Sequence, residues 1–251
     1  MYTKVKTPDE LAAMRESGRM LATVLGVLTQ RLQVGMSTKD LADIAKAELK
    51  ALGGTPPFLG YYGFPDVICI SVNQEVVHGI PRTDKIIQQG DIVSMDFGVT
   101  YRGMITDSAT SVIADKARNS REQSLLDTTR VSLDAGIDVL HAGVHVGDIA
   151  AAVQTVLDAG KLGIVRELVG HGVGHQLHED PNIPNYGRAG TGPQLQAGMT
   201  IAIEPMATLG DYRVAVMDDD WTVVSRDGSR AAHFEHTVLI TQDGHEVLTQ
   251  V

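Results

Sequence analysis

Apolar residues over the first fifty positions recur every three or four: Leu11, Met14, Leu21, Val24, Leu25 and Leu28 fall on one face of a helix. Thr7-Pro8-Asp9-Glu10 ahead of them supplies an N-cap, a proline at the first helical position and an acid three residues after the cap, which together satisfy the free N–H groups of a helix start. Ser37-Thr38-Lys39-Asp40 opens a second helix through Leu41, Ile44, Ala45 and Leu49, and Gly53-Gly54 ends it. The period then falls to two. Alternating or β-branched runs at 67–72, 92–100 and 105–113, parted by glycine and proline, predict strands. The order then restarts: helices are expected over about 120–141 and 148–159, followed again by strand-like runs.

A fixed offset of 108 aligns the two halves. Gly35, Asp40, Leu41 and Ala42 meet Gly143, Asp148, Ile149 and Ala150, and Gly90-Asp-Ile-Val-Ser-Met-Asp96 meets Gly198-Met-Thr-Ile-Ala-Ile-Glu204. An offset of 100 sets His78-Gly-Ile-Pro81 on His178-Glu-Asp-Pro181. Chance likeness between amphipathic segments is the plain alternative. Against it stands the chemistry of the matched positions, which put acids and histidines inside apolar strands where an unpaired charge is costly. The pattern therefore predicts an α+β fold of two related halves, about 1–115 and 116–251, facing one another as one domain over 1–251.

Composition narrows the partners. The 251 residues carry a net charge of −10 and no lysine or arginine cluster, so there is no electrostatic footprint for specific nucleic-acid binding or an anionic membrane. No run approaches the roughly 20 apolar residues of a membrane-spanning helix, and 20–28, the one stretch like a signal core, follows Asp9, Glu10 and Glu16 and reads as helix. Cys69 stands alone and cannot pair within the chain, which suits the cytoplasm, the expected compartment.

The chemistry concentrates in a few acids. An antiparallel hairpin centred between residues 101 and 102 sets Asp96 opposite Asp107, and two carboxylates so placed need a cation between them or a shared proton. Ile92, Val93, Met95, Phe97, Ile105 and Ile113 make these strands too apolar for a solvated edge, which favours a metal. Glu204 in Ile201-Ala-Ile-Glu-Pro and Glu235 in Ala231-Ala-His-Phe-Glu-His-Thr add two more acids in apolar strands, and His171 sits among the glycines of Gly170-His-Gly-Val-Gly. Four carboxylates and an imidazole are a hard, oxygen-rich ligand set. It suits two adjacent divalent ions of Mn, Fe, Co or Zn better than a thiolate-rich structural zinc site. Spacing alone does not identify the substrate.

Taken together, Ser71-Val-Asn-Gln-Glu-Val-Val-His78-Gly-Ile-Pro81, Gly90 to Asp96, Asp107, Gly170-His171-Gly-Val-Gly, His178-Glu-Asp-Pro181, Gly198 to Glu204-Pro-Met and Phe234-Glu235-His236-Thr resemble the pita-bread metallopeptidases, most closely the type I methionine aminopeptidases, over nearly the whole chain. The resemblance implies a pseudo-twofold pita-bread fold, with antiparallel sheet inside and helices outside. It implies that Asp96 ligates one ion, that His171 and Glu204 ligate the other, and that Asp107 and Glu235 bridge the pair. A bridging water or hydroxide is then the nucleophile, and Glu204 its proton relay. By the same resemblance His178 contacts the scissile carbonyl and His78 the substrate backbone. The substrate implied is the N-terminus of a nascent chain beginning with methionine, with a small second residue preferred. Association with the ribosome fits that substrate, and a monomer is expected.

The methionine pocket implied by the resemblance is walled by Tyr61, Phe64, Cys69 and Trp221. At two further positions the chain departs from the common bacterial pattern: Phe58 replaces a small cysteine and Leu177 an aromatic. Asn73 falls in a segment resembling a monovalent-cation loop, and His175 and His236 lie close enough in sequence to the ligands to orient them. Two rivals share the ligand set or the scaffold, a proline-specific peptidase and a noncatalytic binding protein.

Overall fold

The computed structural model describes residues 3–250; the outermost residues of the expected domain lie outside that range. Both N-terminal helices start where their caps predict. Thr7 and Glu10 close a reciprocal capping box on α1 (Pro8–Arg31). Ser37 and Asp40 do the same for α2 (Thr38–Leu52), and Gly53 ends it in the left-handed conformation. Strands β1 (Cys69–Val72), β2 (Glu75–Val77), β3 (Ile92–Tyr101) and β4 (Met104–Ile113) follow, then α3 (Ser120–Asp138) and α4 (Val146–Ala159). The remainder comprises β5 (Gly163–Ile164), β6 (Gly170–Gly172), β7 (Glu179–Ile183), β8 (Thr200–Ile203), β9 (Met206–Thr208), β10 (Val214–Val216), β11 (Val223–Ser225), β12 (Ala231–His233), β13 (His236–Ile240) and β14 (His245–Val247).

Two helix bounds differ from expectation. α3 stops at Asp138, short of 141, because the chain turns through Gly143, whose N–H donates to the Leu195 carbonyl at 2.8 Å. α4 begins at Val146 because Asp148 is its capping-box acid and not its first residue: the carboxylate accepts the His145 N–H at 2.9 Å.

All strand pairs are antiparallel, in sheets ordered β1-β3-β4, β10-β11-β2, β12-β9-β5 and β14-β13-β8-β6-β7. Along β3 the period-2 rule separates two faces. Val93, Met95, Phe97 and Val99 pack against Leu21, Val24, Leu28 and Leu41 of α1 and α2, which leaves Ser94 and Asp96 on the other face. α3 and α4 cover the five-stranded sheet in the same way, through Leu125, Leu133, Ile149 and Val153 on Ile201, Ile203, Val238 and Ile240. Helices therefore form the two outer layers, and the polar strand faces turn inward.

The offset of 108 reappears in the backbone hydrogen bonds. Gly35 N–H donates to Ile87 O at 2.9 Å and Gly143 N–H to Leu195 O at 2.8 Å; Thr38 donates to Lys85 at 2.9 Å and Val146 to Pro193 at 3.0 Å; Ile87 donates to Met36 at 2.8 Å and Leu195 to Val144 at 2.9 Å. The halves meet where β4 runs antiparallel to residues 233–237. Ala109 and Glu235 exchange backbone hydrogen bonds, Thr237 Oγ1 accepts from the Asp107 N–H at 2.9 Å, and Ser111 Oγ accepts from the His233 N–H at 2.9 Å.

Candidate metal centre and substrate cavity

The β3–β4 hairpin corrects one expectation. Its two-residue loop is Arg102-Gly103, both at positive φ (48° and 77°), as hairpin turns compatible with strand twist require. That loop sets Tyr101 opposite Met104, so Asp96 faces Ala109 and Asp107 faces Gly98. The shift from the expected register amounts to a diagonal. Asp96 and Asp107 remain on one face, two positions apart, because moving one residue in each strand conserves parity.

Across the seam, Glu235 comes to Asp107 through the backbone bridge of its strand to Ala109, and β6 brings His171, paired with Ala202 of β8, to the same point. One ligand atom from each of Asp107, His171 and Glu235 lies within 4.8 Å of the other two. His171 Nε2 is 3.6 Å from Glu204 Oε1 and 4.0 Å from Asp107 Oδ2. Its Nδ1 is 2.9 Å from the Gly172 carbonyl, which accepts the ring proton and so leaves the Nε2 lone pair facing the acids. Asp96 Oδ1, Asp107 Oδ1 and Glu235 Oε1 are buried and have no hydrogen-bond partner.

Burial and mutual repulsion move these groups off their ordinary ranges. Burial, with the Asp107 and Glu204 charges beside it, lifts Asp96 well up; burial lifts Asp107 to about 7 and Glu204 and Glu235 well above the carboxylate range. Burial lowers His171 to about 3, so its imidazole is neutral. Four acids that resist ionisation, three bare buried oxygens and a neutral ring nitrogen are the condition a divalent cation relieves, since it favours every deprotonated donor at once. The donor set fits the metal ions that the sequence implies.

The acids form the floor of a cavity of about 130 Å³, close to the ~150 Å³ of an apolar pocket that holds a benzene-sized group. Phe58, Tyr61, Phe64, Cys69, Leu177, His78 and His178 line it with Asp96, Asp107, His171, Glu204 and Glu235; Val77, Leu168, Val169 and Met206, not singled out from the sequence, complete the wall. Phe58 fits because residue 98 is glycine: a Cβ there would stand 2.8 Å from the Phe58 ring. Trp221 does not line the cavity. It backs the wall, its ring 5.1 Å from Phe64 and 6.4 Å from His78. At the rim Tyr61 Oη is 2.7 Å from His178 Nδ1. A phenol at neutral pH donates there, which fixes the His178 proton on Nε2.

Other predicted residues point elsewhere. The His175 ring turns to Glu10 at 2.8 Å and does not orient a ligand, while His236 Nδ1 is 2.8 Å from Thr249 Oγ1. Asn73 is occupied within its loop: it donates to Asp91 at 2.9 Å and accepts the Ile92 N–H at 3.1 Å. The residue that sequence reading passed over is His233, buried and 3.5 Å from Glu204. The signal was available, since 231, 233 and 235 share a face at period two.

The chain belongs to metallopeptidase family M24, whose model matches residues 12–242. It is 44% identical over 246 residues to methionine aminopeptidase 1 of Bacillus subtilis, covering 98% of each chain. It superposes on the crystal structure of methionine aminopeptidase from Thermotoga maritima with a TM-score of 0.97 and 42% identity, covering 99% of this chain and 100% of that one. The prolidase from Pyrococcus furiosus shares the fold alone, with a TM-score of 0.78 and 19% identity over 98% of this chain and 65% of that one. The architecture is the α+β pita-bread fold. Among the described residues no helix is long and apolar enough to cross a membrane.

Proposed function

We propose that this chain is a metal-dependent aminopeptidase that removes the N-terminal methionine from nascent proteins and peptides, preferring a small second residue. The observation that carries the reading is the junction of two unlike surfaces: buried, partner-poor carboxylates on the floor of a cavity whose wall is aromatic, thiol and aliphatic. An unbranched thioether side chain suits such a wall, and the scissile bond that follows it lies over the acids.

In this reading Asp96 would hold one divalent ion, His171 and Glu204 would hold the other, and Asp107 and Glu235 would be available to both. When bound, the pair, drawn from Mn, Fe, Co or Zn, supplies a nucleophile from water at neutral pH and polarises the carbonyl under attack. The protein does the rest. Phe58, Tyr61, Phe64, Cys69 and Leu177 take the methionine side chain out of water, with Trp221 behind them. His178 donates Nε2–H to the carbonyl oxygen as negative charge grows there, and Tyr61 keeps that proton on the correct nitrogen. His78 holds the substrate backbone. The Glu204 carboxylate takes the proton released by the attacking water and delivers it to the leaving amine nitrogen. We further read the chain as a single catalytic domain with halves near 1–115 and 116–251. It works as a cytoplasmic monomer where nascent chains emerge at the ribosome, and backbone carbonyls of the segment around Asn73, not the Asn73 side chain, hold a monovalent cation.

The test is release of the first residue from Met-Gly-Xaa, Met-Leu-Xaa and Ala-Pro-Xaa with Mn²⁺ or Co²⁺, with Asp107→Ala as control. Methionine should leave Met-Gly-Xaa fastest, and the substitution should abolish release. Cleavage of Ala-Pro-Xaa alone would reassign the chain to proline-specific hydrolysis. No hydrolysis by folded, metal-loaded protein would make it a binding protein.

A further inference from the structure

His233 ends β12 directly behind the acidic floor and is 1% exposed. Neither of its ring nitrogens has a hydrogen-bond partner. It does not line the cavity, so substrate does not explain it. The backbone fixes its place: Ser111 Oγ accepts the His233 N–H at 2.9 Å and donates to the His233 carbonyl at 2.7 Å. From there Nε2 points at two carboxylates, 3.5 Å from Glu204 Oε2 and 3.9 Å from Glu235 Oε2.

Glu204 is thus bracketed by two imidazoles, one on each oxygen. Oε1 faces His171 Nε2, whose proton sits on the far nitrogen and whose lone pair is offered inward. Oε2 faces His233, where no acceptor competes for a ring proton. The two rings are chemically complementary: one presents a lone pair beside the carboxylate, the other can present an N–H to it. A carboxylate with both oxygens free to swing would offer either to an ion; one held by an N–H on Oε2 offers Oε1.

We propose that His233 is the positioning residue of the metal centre, donating Nε2–H to Glu204 Oε2 so that Glu204 Oε1 is held toward the ion shared with His171. The proposal rests on the metal-site reading above. Bond formation needs the ring and carboxylate to close by a few tenths of an ångström, within the reach of a rotamer adjustment. Partners that orient a ligating carboxylate are worth about 10–100-fold in metal affinity.

The experiment is calorimetric titration of chelator-treated protein with Co²⁺, together with the visible spectrum of the Co²⁺ form, for the wild type, His233→Leu, His233→Gln and Asp107→Ala. His233→Leu should weaken Co²⁺ binding 10–100-fold at unchanged stoichiometry and shift the absorption bands. His233→Gln, whose carboxamide N–H can reach the same oxygen, should recover most of the affinity and the wild-type bands. Wild-type binding by both His233 variants overturns the proposal. Wild-type binding by Asp107→Ala overturns the metal-site reading itself, and the proposal with it. A measurement on the unaltered chain guards against variants that fail to fold. Long-range ¹H–¹⁵N spectra of the Zn²⁺ form should show one imidazole, absent in His233→Gln where that variant folds and otherwise assigned by sequence, as the Nε2–H tautomer. A proton on Nδ1 with Nε2 bound to the metal makes His233 a direct ligand and overturns the positioning role.

Discussion

A histidine's usefulness here is decided by where its proton sits, and in two cases a neighbour decides it. The Gly172 carbonyl accepts a hydrogen bond from His171 Nδ1–H and the Tyr61 phenol donates to His178 Nδ1, so His171 offers a lone pair at Nε2 and His178 an N–H. Tyr61→Phe removes one neutral hydrogen bond, worth roughly 0.5–1.5 kcal/mol. Its kcat/KM on Met-Gly-Xaa should fall about tenfold or less, with the larger part in kcat, and steady-state kinetics decides it. Loss of the donor itself is more serious: His178→Ala should cost on the order of 10²–10³ in kcat with metal affinity unchanged. Leu177→Ala deletes buried wall volume and should destabilise the fold by roughly 2–5 kcal/mol. The same change should raise the rate on Phe-Gly-Xaa relative to Met-Gly-Xaa; competition between the two peptides measures this, and an unchanged ratio would show that Leu177 does not bound the pocket.

At the scale of the elements, the segment that carries Leu177 and His178 is held from the N-terminal arm. Glu179 accepts the His175 and Gln176 N–H groups at 2.8 and 2.9 Å, and Lys6 Nζ reaches its other oxygen at 3.3 Å, with both side chains almost wholly buried. Lys6→Ala removes the buried cation that balances that carboxylate, leaving its charge held by hydrogen bonds alone, so it should cost about 3–5 kcal/mol and raise KM through the loosened wall. Thermal denaturation with kinetics checks both, and Glu179→Gln added to Lys6→Ala should recover stability by removing the stranded charge. Helix starts were legible because caps are local: Thr7 with Glu10 and Ser37 with Asp40 need only three residues to declare themselves. The acids were legible because an apolar strand makes a carboxylate conspicuous. The hairpin register was not, because one residue's conformation in the turn decides it and Arg102 is unusual at positive φ. Nor was Trp221's place behind the wall, which depends on β11 pairing with β2 in one sheet, a contact between distant parts of the chain.

For the whole molecule, the four inward acids set a conflict between folding and ionisation. Asp107, raised to about 7 by burial, stabilises the metal-free fold through its bound proton. That contribution is complete below the ordinary aspartate value of 3.8 and is lost as pH rises through about 7. Chelated protein should therefore melt lower at pH 8 than at pH 6.5. Because the ion must displace the proton, the rise in Tm on adding Mn²⁺ should be larger at pH 8 than at pH 6.5. Scanning calorimetry at the two pH values tests both signs, and Asp107→Asn should lessen the dependence, the other buried acids keeping the remainder.

The matched hydrogen bonds of the two halves bear on direction. A peptide has an amine end and a carboxyl end, and a site with true twofold symmetry would greet it identically whichever way it entered. Here Asp96 and Glu204, matched at the offset of 108, both reach the floor, while the wall residues are unlike: the first half supplies Phe58, Tyr61 and Phe64, and the second supplies Leu177 and His178 on a turn pinned by Lys6. The matched frame gathers the charge, and the unlike walls give it a polarity. Only the second makes it meaningful to speak of a first residue: an enzyme that trims one end of a chain needs a site that can tell which end it holds.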